Sequence, residues 1–226
     1  MSFSIDEAEG CNSTSSFGRK DQKDAITEFL LSLLKRAYAE QYPLHIKEVE
    51  RIAGVLAGGE LNNEQVDAWR VVVVAANGDV TTFSPEFMEV RSKAHNNFNF
   101  GNILRDDFDQ LFESNLIAMT QAQIRRGVER CQAQCQYFAV CGGGAPSNKM
   151  QENGSLESSE TMFCKMSVQP AAEAFRKFVQ WGGQQAQRNY SIFNNALSRS
   201  RTPNQLICSG EVRCRNVQPY FQACVS

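Results

Sequence analysis

The sequence predicts an α+β fold, and three observations carry that prediction. Apolar residues recur at three- and four-residue steps in several stretches, the mark of helices packed by one face. Residues 71–83 place β-branched side chains on both sides of an Asn-Gly pair, the mark of a tight hairpin. Four of the eight cysteines fall between Cys131 and Cys164, at spacings x3, x5 and x22, with Gly142, Gly143 and Gly144 directly behind the third.

At 226 residues and 42% hydrophobic content the chain can bury one sizeable core or two small ones. A net charge of −2 leaves no excess of Lys and Arg to neutralise a phosphate backbone, which argues against nucleic acid as a partner. The longest apolar run, Val71 to Ala76, is far short of the roughly 20 residues that span a bilayer. Met1 to Gly10 is acidic rather than a basic start to an apolar stretch, so neither a membrane span nor a signal peptide is expected. A cytoplasmic location follows as the expectation, with reduced thiols rather than a disulfide framework.

In chain order, a short strand is expected at residues 3–5, followed by a Ser/Thr/Asn/Gly-rich loop. Ile26, Phe29, Leu30, Leu33, Leu34 and Ala37 form the stripe of a helix of about four turns. Ile46, Val49, Ile52 and Val55 mark a second helix, closed by Gly58-Gly59. The hairpin pairs Val71–Ala75 with Val80–Phe83 across Asn77-Gly78, and Ser84-Pro85 ends it. Asp106 is the expected N-cap of a helix facing inward with Phe108, Leu111 and Phe112. Thr120-Gln121-Ala122-Gln123 has the form of a capping box, predicting a helix that starts there and delivers the chain to Cys131. Ala171, Ala174, Phe175, Phe178 and Val179 predict a last helix, stopped by Gly182-Gly183. The polar segment beyond it carries Cys208, Cys214 and Cys224 at long spacings, expected to be free thiols of a tail.

Three thiols within eleven residues, joined by a fourth across a loop, make a thiolate metal site sterically easy. Thiolates suit zinc, copper(I) and iron–sulfur clusters; no histidine lies near in sequence, and spacing alone does not choose among them. Structural cysteines without metal are the alternative. The glycines allow close backbone approach, so that N–H groups can point at anionic sulfur. His45 reads as a packed or surface histidine and His95 as solvated, while Lys149, Glu152 and Glu160 read as solvated loop charges.

The run CQYFAVCGGGAPSNKMQENG followed by SSETMFC resembles the SPASM region of radical S-adenosylmethionine enzymes, most closely the maturases of glycine-rich-repeat peptides. The likeness extends upstream through SIDEAEG, LHIKEVERI, the hairpin leading into VTTFSPEF, and FNFGNILRDDFDQLFES. It implies the end of a radical S-adenosylmethionine barrel over residues 1–70, a SPASM-like iron–sulfur domain over 71–182 and a polar tail over 183–226.

The resemblance also implies a ligand set. One auxiliary [4Fe–4S] cluster of the family matches Cys131, Cys135, Cys141 and Cys164, with the first gap one residue longer than usual. The family's other cluster has no counterpart: its last ligand position is Ala145, and no cysteine lies between Cys11 and Cys131. One cluster is therefore expected, shielded by Tyr137 and Phe138, with no ligand role for Cys11. The CxxxCxxC triplet that forms the S-adenosylmethionine site is absent from the sequence, so no such site and no radical generation by this chain alone are expected. The implied partners are a separately encoded radical core, docking at the Ile26–Ala37 helix and a barrel edge, and a precursor peptide. The competing expectation is a zinc-stabilised module that binds a peptide or protein without catalysis.

Overall fold

The computed structural model describes residues 2–3, 22–41 and 45–199, without the side chains of 108, 110 and 186–199. Residues 4–5 of the predicted first strand, Cys11, Cys208, Cys214 and Cys224 lie outside the described residues. Helices α1 (Gln22–Ala39) and α2 (Lys47–Leu56) lead into a three-stranded antiparallel sheet, β1 (Val72–Val74), β2 (Asp79–Thr82) and β3 (Gly101–Asn102), in the order β1-β2-β3. Then come α3 (Phe108–Phe112), α4 (Asn115–Gln134), α5 (Phe138–Cys141), α6 (Pro146–Asn153) and α7 (Gln169–Arg199). A mixed fold of helices with one small sheet agrees with the α+β expectation.

The two front helices form where the apolar stripes predict them. α1 buries Thr27, Leu30, Leu31 and Leu34, and α2 buries Val49 and Ile52. Leu30, Leu31 and Ile52 pack with Val140 of α5 and with Ala171 and Ala174 of α7, so the front of the chain shares a core with the segments that flank the cysteines. Small residues at 171 and 174 let α1 and α2 approach α7 closely.

The hairpin forms in the register its turn dictates. Val72 pairs with Thr82 and Val74 with Val80, while Ala75 N donates to Asp79 O at 2.8 Å around Gly78, whose φ of 86° few side chains tolerate. Asn102 pairs with Asp79 and adds β3, a strand too short to leave a periodic signal. Beneath the sheet, Phe83, Phe87, Phe98 and Phe100 form the second core with Ile117, Ile124 and Leu156. Phe87 and Phe98 stack with centroids 4.0 Å apart, and burying each such ring contributes about 1.5–3 kcal/mol.

Four expectations are corrected here. His95 is not solvated: it is buried, stacks on Phe98, and bonds Ser92 Oγ through Nδ1 (2.8 Å) and Gln123 Oε1 through Nε2 (2.6 Å). Asp107, not Asp106, caps α3 by accepting from Asp109 N, because the Asp106 carboxylate already accepts from Asn102 N at the sheet edge. Thr120 starts no helix. It lies buried in the second turn of α4, its hydroxyl donating to Leu116 O at 2.8 Å, and the helix begins at Asn115. Gly182-Gly183 does not stop α7, which continues to Arg199. The ring of Trp181, held between Tyr38 and Phe178 on α1 and α7, fixes the helix up to the glycines, and two glycines cost a long helix only about 1 kcal/mol each.

Candidate metal centre

Helix α4 buries Ile117, Thr120, Ile124, Gly127 and Cys131, a continuous stripe in which the first predicted ligand is the last member. Its thiol is 3.7 Å from Gly143 O. The helix closes at Cys135, whose N–H bonds Cys131 O at 2.9 Å, and a turn over Gln136 and Tyr137 leads to the short helix α5.

Cys141 ends α5, and Gly142 caps it in the left-handed region with φ 70°. Gly143 and Gly144 are also left-handed, at 97° and 71°. Burial pushes the Cys141 thiol up, and the Gly143 and Gly144 backbone opposes that rise. Gly143 also needs its missing side chain, since a Cβ would stand 3.0 Å from a methyl of Val128.

Two residues outside the cysteine stretch hold this turn. The Asn63 side-chain amide donates to Gly142 O at 3.1 Å and Gly144 O at 3.0 Å, and Arg51 of α2 donates to Val140 O at 3.2 Å. Neither residue belongs to a periodic pattern, so sequence reasoning passed over both. The one available signal is Asn62-Asn63 ahead of a short apolar-free turn, which by itself reads only as loop. Replacing Asn63 by Ala should lower stability by about 1 kcal/mol, read as a shift in denaturation midpoint at constant m.

Cys164 is set by a reciprocal pair at a helix start. Thr161 Oγ1 accepts from Cys164 N at 3.2 Å, and Cys164 Sγ accepts from Thr161 N at 3.2 Å, a capping box with sulfur in place of a carboxylate. Glu152, expected to be solvated, instead reaches across from α6 and accepts from the N–H groups of Met162 and Phe163. The first turn of this helix is thereby satisfied, and it passes through a π-helical turn, Cys164–Val168, into α7.

Cys131, Cys135, Cys141 and Cys164 line one cavity of about 560 Å³, so the structure brings all four predicted positions together. Tyr137 and Phe138 form part of its wall, the Tyr137 hydroxyl donating to Glu173 at 3.0 Å. Burial pushes the Cys141 and Cys164 thiols up; neighbouring thiols push further, against the lowering by Arg51 at Cys141 and by Thr161 at Cys164. Glu160 is engaged by Lys165 (2.9 Å) and Gln169 (2.7 Å) rather than simply solvated. Lys149, also expected in solvent, is 3% exposed. Among the described residues no group of three or more His, Cys, Asp or Glu side chains closes tightly enough to hold a single metal ion. His45 is exposed and pairs with Glu50, away from the cavity.

No family model matches the chain. An uncharacterised protein of Synechocystis sp. is 29% identical over 175 residues, covering 76% of this chain and 44% of that protein. A solved structure of histidine-tagged anSMEcpe with bound AdoMet matches 84% of this chain and 45% of its own, at 18% identity and a TM-score of 0.46. The chain spans less than half the length of either.

Proposed function

We propose that the chain is an iron–sulfur protein of the SPASM type, the C-terminal portion of a radical S-adenosylmethionine maturase acting on a ribosomal peptide. In this reading Cys131, Cys135, Cys141 and Cys164 hold one [4Fe–4S] cluster. The observation that carries it is the convergence of these four thiols, from the ends of α4 and α5 and the start of a third helix, on one cavity. A cluster is larger than a single ion, and a cavity of about 560 Å³ lined by four thiols leaves room for one. The Thr161 backbone amide, which donates to Cys164 Sγ, suits anionic sulfur.

When bound, the cluster would supply one-electron redox capacity or an anchoring point for substrate. The chain's own residues do the rest. Tyr137 and Phe138 keep water from the thiols, Asn63 and Arg51 hold the Gly142–Gly144 turn, and Glu152 with Thr161 orients Cys164. Radical generation is assigned to a core outside these residues, and the precursor peptide is the substrate.

Anaerobic reconstitution tests the reading. About four iron and four sulfide per chain, with broad visible absorption, are expected. Tight, colourless, stoichiometric zinc in their place would overturn it in favour of a zinc-stabilised interaction module.

A further inference from the structure

α6 starts directly behind the Gly142–Gly144 turn and buries its first four residues, Pro146 to Lys149. Lys149 is therefore drawn inward. It is 3% exposed and lines the cysteine cavity. Its ammonium lies against the bare backbone of Gly127, 3.1 Å from where a Cβ would stand. Gly127 is one turn before Cys131 on the same face of α4, so the charge sits on the Cys131 side of the cavity wall.

The carboxylate and the second lysine of this cavity are engaged with other residues. Its one carboxylate among the described residues, Glu160, is taken by Lys165 and Gln169. Its other lysine, Lys23, donates to Gln169 at 2.6 Å and stands over the Tyr137 ring. A cation fixed in the wall of a cavity lined by four thiols favours an anionic occupant there. Helix geometry keeps the cation in place: Lys149 N bonds Ala145 O at 3.3 Å, and its carbonyl is taken up by the Gly154 cap that ends α6.

We propose that Lys149 is the counter-ion of the cavity's occupant, an anionic thiolate-ligated centre, and a positioning residue that raises its reduction potential. This rests on the cluster reading above. Four thiolates around a [4Fe–4S]²⁺ core carry a net charge of −2, and one electron from an external one-electron donor takes the core to +1 and the whole to −3. A fixed cation stabilises the more negative state more, so reduction becomes easier. No bond is made or broken.

The test compares wild type, K149M and K149R after anaerobic reconstitution, with iron and sulfide content, mediator-coupled potentiometric titration, and thermal melts of the iron-free proteins. The potential of K149M should shift negative while K149R stays near wild type. The melts of the iron-free proteins check that both variants fold. Loss of iron in K149M with retention in K149R also supports the proposal. Equal potentials with full iron in K149M would overturn it, as would iron loss in both folded variants. Wild type that takes up no iron at all would instead remove the cluster reading on which the proposal stands.

Discussion

Replacing Cys141 by Ser is expected to remove the iron, leaving less than about one of four iron atoms per reconstituted chain. Cys141 is the position where most of the site's local structure converges. It closes α5, the left-handed Gly142–Gly144 turn begins directly behind it, and it shares the cavity wall with the other three thiols. A serine hydroxyl keeps the shape, but it ionises far less readily and is a harder ligand, so the four-point attachment falls to three. The fold should survive, since Val140 and the Gly142 cap carry the packing of this turn. Iron and sulfide assays alongside circular dichroism read the result, and unchanged iron in the folded variant would take Cys141 out of the ligand set.

Gly127→Ala is expected to lower the melting temperature by roughly 5 °C or more, a loss of about 2 kcal/mol. Helix propensity alone predicts the opposite, a gain of about 1 kcal/mol in mid-helix. Contact decides: the new Cβ would stand 2.2 Å from Leu156 O and 3.2 Å from Ser158 O, both backbone atoms that cannot swing aside. Either α4 or the strap that crosses it must shift, and that strap leads directly to Thr161 and Cys164. A thermal melt measures the sign, and a rise would mean that the strap has room to spare at Gly127.

Local chemistry was legible in the sequence wherever it decides the structure. Asn77-Gly78 fixed the hairpin, and the stripes of α1 and α2 emerged because burial against α7 follows the same period that the residues display. The four thiols were legible as a group because they are the dense cysteine stretch of the chain. Misreadings arose where a side chain serves a distant partner. Thr120 resembles a cap but spends its hydroxyl inside its own helix, and Asp106 resembles a cap but is committed to Asn102. Lys149 and Glu152 look like loop charges, yet the Gly154 turn makes a helix of their segment and points one at the cavity and the other at a helix start. Asn63 is about eighty residues from the glycines it clamps, and no local pattern encodes that contact.

The stripe of α4 ties the molecule's register to its chemistry. Ile117 and Ile124 mesh with the phenylalanines under the sheet, and Cys131, about 21 Å further along the axis from Ile117, is the last tooth of the same gear. The helix cannot turn to suit the thiol without disengaging the aromatic core. One residue inserted between Ile124 and Cys131 would rotate the sulfur by about 100° and swing it out of the cavity while the core stayed intact. The phenylalanine core therefore serves as the alignment jig for a thiol that lies outside it.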